Sequence, residues 1–388
     1  MKALRIALVA GEQSGDQLGA GLIRELRIRA PGARFMGVAG PRMLAEGCEA
    51  WGRSEQLAVM GLFEVLSHLP GLYRLRSALQ RRLLEERPDV FIGIDAPEFN
   101  LGLARRLRAA GLRTVQYVSP QVWAWRRGRV HGIARAVDLV LCLLPFEQDF
   151  YAEAGLRAEF VGHPLADQIP LAPDRAGARA QLGLDGRPVL AVLPGSRLGE
   201  VARLGDDFAG AIGWLAQRRP DLQFVAPMAS APVHARFGAA LQRRAPRVAV
   251  RVIDGQAQLA LAAADVVLVA SGTATLETML SKRAMVVAYR LSALTSWLVR
   301  RFNLMKAPHF AQPNLLAGRV VVPEFFQEQV TPEALGGALL AQLDDPAARE
   351  ALARLFTEFH VKLRRDASAR AAEAILSLIP ESQAALAT

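Results

Sequence analysis

The sequence predicts an α/β protein of two domains, each built on a parallel sheet. Short apolar runs alternate with amphipathic helical segments through the first half of the chain, and the same alternation begins again after residue 188. A segment rich in Pro and Gly, residues 162–188, separates the two halves. A chain of 388 residues is also too long to fold around a single hydrophobic core of ordinary size. We therefore expect two Rossmann-like halves that face a ligand cleft.

The apolar runs that we interpret as strands are rich in Val, Ile and Leu and are bounded by turn residues. In the first half they are Leu4 to Val9, Arg34 to Val38, Val90 to Ile94, Thr114 to Val118 and Leu139 to Leu144. In the second half they are Val189 to Leu193, Leu222 to Ala226, Val248 to Ile253, Val266 to Val269 and Met285 to Ala288. This order predicts domains at residues 1–165 and 188–345, followed by a helical segment at residues 346–388. The sequence leaves open whether that segment crosses back to the first domain or packs on a partner subunit of a homodimer.

The composition is typical of a globular enzyme in a reducing compartment. Hydrophobic residues make up 52% of the chain and charged residues 22%, which argues against a disordered scaffold. Cys48 and Cys142 lie far apart in sequence and indicate neither a disulfide framework nor a zinc site. We therefore expect a protein of the reducing cytoplasm. No apolar run is long enough to span a bilayer, but peripheral attachment to a membrane stays open.

The net charge of +10 favours anionic partners. Phosphorylated substrates, an anionic membrane surface and nucleic acid all fit this charge. The arginines are scattered over many predicted helices and are not clustered with stacking aromatics, so a nucleic-acid-binding protein ranks last and no nucleic-acid partner is expected.

The first predicted strand runs into a glycine-rich turn and a helix start. Such a turn brings backbone close to a polar ligand. Gly11, Gly15 and Gly19 fall four apart, which matches neither the dinucleotide fingerprint nor the phosphate loop and argues against nicotinamide and ATP. We expect Glu12 and Asp16 to place carboxylates on the rim of the cleft; the alternative is a plain turn with a helix cap.

A second acidic position follows the buried run Val90 to Ile94. Asp95 ends this strand directly, where an aspartate of a doubly wound sheet can take a proton from an attacking hydroxyl. Glu98 lies close by, but both acids cannot be catalytic, and we favour Asp95. The alternative is an N-cap for the helix near Asn100.

Two turns in the second half suit a nucleotide diphosphate. Ser196 and Arg197 follow one strand, where backbone N–H groups and a guanidinium converge on oxyanions. Ser271, Gly272 and Thr273 follow another strand, and Glu277 lies one turn into the next helix, where it can accept bonds from ribose hydroxyls. For each turn the alternative is an ordinary N-cap with a surface arginine.

Three segments combine apolar and basic residues in a way that suits lipid or sugar phosphate. Leu57 to Leu84 joins Met60 and Phe63 to a basic tail, and Trp297 to Phe302 has a similar pattern. The segment with Trp123 and Arg126 pairs flat apolar surface with positive charge. Solvated core helices and core packing are the alternatives.

The metal-binding signatures are missing from the sequence. It has no His-Glu-x-x-His, no Cys-x-x-Cys and no Asp-x-Asp, so we expect neither a bound metal nor a cofactor. His163 lies near the predicted domain junction, where it is either a cleft residue or a structural turn residue.

Taken together, these residues resemble the lipid-A-disaccharide synthase family. The matching stretches are Ala10 to Gly21, Gly37 to Trp51, Leu57 to Val65, Pro88 to Asn100, Tyr117 to Arg127, Leu144 to Glu147, Leu193 to Arg197, Ala270 to Glu277, Met285 to Arg290 and Pro313 to Arg319. The resemblance implies a fold of the GT-B type, with UDP held by the second domain and the acceptor by the first. It also implies that UDP-2,3-diacylglucosamine and 2,3-diacylglucosamine 1-phosphate are joined by an inverting, metal-independent transfer that makes a β-1,6 linkage and releases UDP.

The resemblance also implies roles for particular residues. Asp95 becomes the candidate base, with Glu12 as the alternative, and the second-domain turns would neutralise UDP without metal. Asn314 matches a family motif and would contact the donor or its diphosphate. The residues that we assign to acceptor or lipid contact are Ser14, Met60, Phe63, Trp123 and Arg126. One rival is a UDP-N-acetylglucosamine epimerase on the same scaffold, but such an enzyme needs no surface for acyl chains.

Overall fold

The computed structural model describes residues 3–57, 62–125, 127–292, 295, 297, 301 and 309–379. It divides into two compact units. The first domain comprises the residues up to Asp167 together with those from Leu363 onward, and the second domain comprises Gln168–Lys362.

The first domain is built on a seven-stranded parallel sheet. Its strands are β1 (Arg5–Ala10), β2 (Arg34–Ala39), β3 (Glu49–Arg53), β4 (Val90–Ile94), β5 (Arg113–Tyr117), β6 (Leu139–Cys142) and β7 (Ala158–Phe160). They lie in the order β3-β2-β1-β4-β5-β6-β7. Apart from Arg5 at the start of β1, the two central strands, β1 and β4, consist of apolar residues and glycine and are buried, as expected for parallel strands covered on both faces.

The helices of this domain follow its strands as crossover connections. They are α1 (Glu12–Arg29), α2 (Pro41–Ala45), α3 (Leu62–Glu86), α4 (Pro97–Ala109), α5 (Val122–Trp125), α6 (Val130–Ala134), α7 (Pro145–Ala152) and α8 (Pro164–Gln168). Leu79 of α3 and Leu103 of α4 pack in one apolar layer on the sheet, and Leu22 and Leu26 of α1 pack in the layer on the opposite face.

The second domain repeats this architecture with a six-stranded parallel sheet. Its strands are β8 (Val189–Leu193), β9 (Gln223–Met228), β10 (Val250–Asp254), β11 (Val266–Ala270), β12 (Ala284–Tyr289) and β13 (Glu324–Phe326). They lie in the order β10-β9-β8-β11-β12-β13. Its helices are α9 (Arg175–Gln181), α10 (Leu198–Arg218), α11 (Ala231–Arg244), α12 (Ala257–Ala263), α13 (Thr273–Leu280), α14 (Gln312–Ala317), α15 (Pro332–Leu343) and α16 (Pro346–Leu363). The prediction of two parallel-sheet, Rossmann-like domains is therefore confirmed.

The last described helix, α17 (Ala367–Leu376), belongs to the first domain. Ala371 and Ile375 are fully buried and share a core with Leu22 and Leu26 of α1. The carboxylate of Asp167 accepts hydrogen bonds from the backbone N–H groups of residues 365, 366 and 367, which caps the start of α17. The terminal segment is thus divided: α16 packs with the second domain, and the chain then returns to the first.

Within the described residues, no helix combines the length and the apolar character needed to cross a membrane.

Candidate functional site

Each domain has one point where the strand order reverses, and the predicted site residues follow the strands on either side of it. In the first domain β1 lies beside β4, and Ala10 is paired with Ile94 at the ends of the two strands. In the second domain β8 lies beside β11, and Leu193 is paired with Val269. Open α/β sheets bind ligands in the crevice outside the carboxyl ends of such strands. The topology therefore brings Glu12 next to Asp95, and Ser196 and Arg197 next to the turn that contains Gly272.

The two turns of the first domain are in contact. A Cβ atom built on Gly11 would lie 2.9 Å from the Cβ of Ala96, so only glycine lets these turns approach so closely. Glu12 is the first residue of α1, and its side chain lies outside the described residues.

Asp95 has a strained backbone and a perturbed carboxyl group. Its φ is 54° and that of the following Ala96 is 40°, so two consecutive residues other than glycine occupy the left-handed region. Burial raises the pKa of the Asp95 carboxyl above its ordinary value, and a hydrogen bond from the backbone of Ala96 partly offsets that rise. A carboxylate with a raised pKa is a stronger base, which suits the predicted role of Asp95.

Two other first-domain residues have structural roles. Asp16 is 2% exposed, and its carboxylate accepts hydrogen bonds from the backbone N–H groups of Gly40, Arg42 and Met43 at the start of α2. The expectation that Asp16 lies on a cleft rim was wrong, because its oxygens hold a helix N-terminus. His163 accepts a hydrogen bond from the backbone N–H of Leu165 at its Nδ1, and burial lowers its pKa to about 4, so it is neutral near pH 7.

In the second domain, the turn after β8 is capped by its own helix. Glu200 accepts hydrogen bonds from the backbone N–H groups of Ser196 (3.0 Å) and Arg197 (3.3 Å). The guanidinium of Arg197 lies 3.4 Å from the other oxygen of Glu200, and the side chain is 52% exposed. The N-cap alternative therefore holds for these backbone groups, whereas the exposed guanidinium is placed to meet an anion.

The turn after β11 has no such cap. Gly272 precedes α13 with φ 145° and ψ −159°, a conformation that is essentially restricted to glycine. Because glycine has no side chain, this residue cannot cap the helix with one. In the described part of the chain, the backbone N–H groups of Thr273 and Ala274 have no protein partner. The hydroxyl of Ser271 donates to the carbonyl of Phe310, 3.4 Å away. Exposed N–H groups at a helix start are suited to binding phosphate oxygens.

Glu277 lies one turn into α13. Its side chain is partly buried, and desolvation raises the pKa of its carboxyl above the ordinary value. Among the described residues, this carboxylate has neither a hydrogen-bond donor nor a cation as partner. A half-buried carboxylate without a protein partner is typical of a ligand-binding group.

Asn314 has a structural role in place of the predicted donor contact. The side chain is fully buried. Its Oδ1 accepts hydrogen bonds from the backbone N–H groups of Val321 and Val322, and its Nδ2 donates to the carbonyl of Val322. Because its amide is bonded to this segment, the structure does not support Asn314 as a donor contact.

The residues that we assigned to acceptor or lipid contact lie in different environments, and some of them lie outside the described part of the chain. Ser14 is exposed on the first turn of α1. Trp123 packs edge-on against Phe146, with ring centroids 4.9 Å apart, and its Nε1 donates to Glu147 at 3.3 Å. Met60 and Arg126 lie outside the described residues, as does the side chain of Phe63.

The carboxyl group of Glu147, on which the Trp123 indole is anchored, has a strongly perturbed pKa. Burial raises its pKa to about 7, against hydrogen bonds from the backbone of Leu144 and from Trp123 that lower it. The hydrogen bond from Nε1 anchors the indole of Trp123 to Glu147 of α7, which supports the core-packing alternative for this tryptophan.

Sequence reasoning missed two polar residues below the Asp95 turn, Asn100 and Gln116. Both are almost completely buried, at 0% and 1% exposure. Gln116 stands out in the sequence as an amide in the middle of a buried strand, and Asn100 is close enough to Asp95 to be noted there as part of a helix start. The sequence feature that could have identified both residues is therefore a polar side chain at a position where an apolar one is expected.

The described residues contain no group of three or more His, Cys, Asp and Glu side chains that could hold a metal ion.

The Gly272 turn provides a test of the second-domain site. Gly272→Ala should lower the melting temperature and weaken UDP binding, because alanine at φ 145° is strained by about 1–3 kcal/mol and the turn must change shape. The matched control is Gly238→Ala in the interior of α11, since a Cβ at either position meets nothing within 4 Å. Thermal unfolding and calorimetric UDP titration measure both variants. Equal behaviour of the two would contradict the role given to the Gly272 turn.

Comparison with solved structures identifies the same two-domain fold. The UDP-GlcNAc 2-epimerase from Neisseria meningitidis bound to UDP-GlcNAc superposes with a TM-score of 0.65 at 12% identity, covering 96% of this chain and 100% of that chain. The glycosyltransferase of kitacinnamycin superposes with a TM-score of 0.63 at 19% identity, covering 98% and 100%. CalG4, the calicheamicin glycosyltransferase, gives a TM-score of 0.59 at 18% identity, covering 98% and 100%. At these identities the likeness concerns the fold alone, and it confirms the predicted GT-B type.

Sequence comparison is much more specific. The family model for lipid-A-disaccharide synthetase matches residues 6–376. The lipid-A-disaccharide synthase of Alkalilimnicola ehrlichii is 53% identical over 377 residues, which cover 96% of this chain and 98% of that protein. The protein of the same name from Pseudomonas aeruginosa strain LESB58 is 54% identical over 378 residues, covering 97% and 98%. A family model that matches almost the whole chain and relatives that are more than half identical show that the chain belongs to the lipid-A-disaccharide synthase family of glycosyltransferases.

Proposed function

We propose that Asp95 is the general base of the lipid A disaccharide transfer and that the second-domain turns hold the UDP of the donor. The reaction joins UDP-2,3-diacylglucosamine to the 6-hydroxyl of 2,3-diacylglucosamine 1-phosphate, with release of UDP. The observation that carries the proposal is the left-handed turn at Asp95, which sets a carboxylate of raised pKa beside the Gly11 turn. Backbone strain of this kind is concentrated at functional sites.

An inverting transfer needs two things from the protein. The attacking hydroxyl must lose its proton as it bonds to the anomeric carbon, and the departing diphosphate must be stabilised. Asp95 takes the proton in this proposal, with Glu12 as the alternative base on the neighbouring turn. Proton removal and carbon–oxygen bond formation then occur on the face opposite the leaving UDP, which gives the β linkage from an α-linked donor.

The charge on the leaving diphosphate is met by groups of the second domain. Arg197 supplies a guanidinium, and the backbone N–H groups of Thr273 and Ala274 point out of the uncapped end of α13. Ser271 lies on the same turn, and its hydroxyl oxygen can still accept a hydrogen bond. Glu277 accepts from the ribose hydroxyls, which supplies the partner that its carboxylate lacks within the described chain.

We also infer that the first domain binds the membrane surface from which both acylated substrates come. Leu79 and Leu83 of α3 are buried in the core, whereas Tyr73 (57% exposed), Arg74 and Arg82 face solvent. The guanidinium of Arg82 also stacks 4.1 Å from the ring of Trp51. Arginines interleaved with aromatic rings suit anionic headgroups at a bilayer interface. This face supports peripheral attachment at the inner membrane.

The test is UDP release by the purified protein from UDP-2,3-diacylglucosamine, with and without 2,3-diacylglucosamine 1-phosphate, and with a chelator present. We expect release that requires the acceptor and survives chelation, since arginine and backbone groups neutralise the diphosphate. Vesicles that contain anionic lipid should sediment the protein, and vesicles of neutral lipid alone should not. Release that needs a divalent ion would contradict the donor site, and sedimentation that is indifferent to lipid charge would contradict the membrane face.

A further inference from the structure

The turn at Asp95 is held from below by two buried amides. The Nδ2 of Asn100 donates to the carbonyls of Asp95 (2.9 Å), Val9 (3.2 Å) and Ile94 (3.4 Å). The Nε2 of Gln116 donates to the carbonyls of Asp95 (3.1 Å), Val118 (3.3 Å) and Tyr117 (3.4 Å). The carbonyl of Asp95 therefore receives a hydrogen bond from each amide.

The backbone held in this way is strained at three positions. Asp95 and Ala96 have φ values of 54° and 40°, and Val118 at the end of β5 has a φ of 77°. A left-handed β-branched residue is a genuine outlier, and such conformations persist only where the surroundings enforce them. The carbonyls of Asp95 and Val118 are both bonded to Gln116, so one amide spans the two strained strand ends.

The amides act here only as donors. The Oδ1 of Asn100 and the Oε1 of Gln116 are buried and have no hydrogen-bond partner among the described residues. Burying an amide oxygen in this way is unfavourable, and a Leu or Met of similar shape would avoid it. The presence of amides at both positions is explained by what their N–H groups hold.

Space for the pair comes from Gly93 of β4, which is paired with Gln116 of β5. A Cβ atom on Gly93 would lie 2.7 Å from the Cβ of Asn100 and 3.1 Å from the Oε1 of Gln116. The glycine, the asparagine and the glutamine thus form one unit under the turn.

We propose that Asn100 and Gln116 are positioning residues for the transfer: they hold the Asp95-Ala96 turn left-handed and so keep the Asp95 carboxylate where it meets the acceptor hydroxyl. This inference rests on the proposed role of Asp95 as base. Loss of either amide lets the turn relax, which displaces the carboxylate without touching the substrates' own contacts. Misplacing a catalytic group lowers kcat much more than it changes KM.

The experiment compares Gln116→Met with Thr114→Val in the full-length protein. Thr114 is fully buried on the same strand, and its hydroxyl donates to the carbonyl of Ala136 at 3.1 Å, so both variants lose a buried donor from β5. For Gln116→Met we expect kcat to fall at least about tenfold with KM for both substrates nearly unchanged. Its kcat/KM profile should also lose activity at lower pH than the wild type does, because a relaxed, better solvated Asp95 has a pKa nearer its ordinary value. Thr114→Val should leave kcat unchanged, and its kcat/KM should fall at the same acidic pH as that of the wild type.

Rates are normalised to the fraction of protein that binds UDP. This fraction measures folded protein independently of the Asp95 turn, because we assign UDP binding to the second domain. A Gln116→Met protein whose acid limb is unmoved, or whose normalised kcat equals that of Thr114→Val, overturns the proposal. An Asp95→Ala protein that keeps its turnover overturns the proposal in another way, because Asp95 is then not the base and its position does not matter for the transfer.

A second variant covers the case in which Gln116→Met does not fold. Ala96→Gly should raise the melting temperature, because glycine adopts φ 40° without strain, whereas Ala109→Gly at the exposed end of α4 should lower it. In the Ala96→Gly background, Gln116→Met should yield more folded, UDP-binding protein than in the wild-type background, and where it folds in both it should lose less kcat. An equal loss in both backgrounds contradicts a role in holding the turn.

Discussion

Asp95→Asn should lower kcat by about 10²- to 10⁴-fold while leaving the Kd for UDP within a factor of two. The substitution keeps the shape of the side chain and removes its ability to take a proton. UDP binding is unaffected in this expectation because the groups that we propose to bind the donor lie in the second domain. Steady-state UDP release and calorimetric UDP titration measure the two quantities.

The pH dependence gives a second readout of the same variant. Burial raises the pKa of the Asp95 carboxyl, so wild-type kcat/KM should fall as pH drops through a value above the ordinary aspartate range. Activity is lost on the acid side because a protonated carboxyl cannot accept the hydroxyl proton. The residual activity of Asp95→Asn should lack this acid limb.

Two other variants decide whether the assignment is specific. Glu98→Gln makes the same charge change three residues away, at an exposed carboxylate that pairs with Arg129 at 2.7 Å, and it should leave kcat nearly unchanged. Glu12→Gln tests the alternative base. If Glu12→Gln loses its turnover and Asp95→Asn keeps it, Glu12 is the base.

Arg197→Ala should weaken UDP binding by about 1.5–3 kcal/mol, the worth of a charge-assisted hydrogen bond, which is roughly a tenfold to hundredfold rise in Kd. The guanidinium is half exposed and already lies near Glu200, so the lower part of this range applies at physiological ionic strength. Calorimetric titration of UDP at two salt concentrations measures the effect. Arg197→Lys keeps the charge but loses the planar guanidinium with its paired donors. Its Kd for UDP should therefore lie between that of the wild type and that of Arg197→Ala.

The control for charge is Arg218→Ala, at the other end of the same helix α10, where the guanidinium stacks 3.7 Å from the ring of Trp214. It removes the same charge far from the β8 turn and should change the Kd for UDP less than twofold. Equal effects of the two variants would mean that Arg197 acts only through net charge, and an unchanged Kd for Arg197→Ala would remove it from the donor site.

Central strands were predictable from sequence because their apolar runs are continuous. Val90–Ile94 and Val189–Leu193 were placed at the residues that the structure gives. Three of the four edge strands were not: Glu49–Arg53, Ala158–Phe160 and Glu324–Phe326 are short and partly exposed, so their sequences lack an apolar run. Pairing with a neighbour, and not local composition, makes these segments strands. The fourth edge strand, Val250–Asp254, overlaps the predicted run Val248 to Ile253.

The sequence by itself determined the fold class, the order of the turns and the family, since these depend on periodicity and on motifs read along the chain. The tertiary structure alone decided which polar residues serve the site. Asp16 and Asn314 resemble ligand-binding residues in sequence, yet their oxygens are bonded to backbone N–H groups: those at the start of α2 for Asp16, and those of residues 321 and 322 for Asn314. Asn100 and Gln116 resemble core positions, yet their N–H groups hold the left-handed turn at Asp95. The difference arises because the role of a polar side chain is set by the partners that folding brings within hydrogen-bond distance, and the sequence around a residue does not show which partners those are.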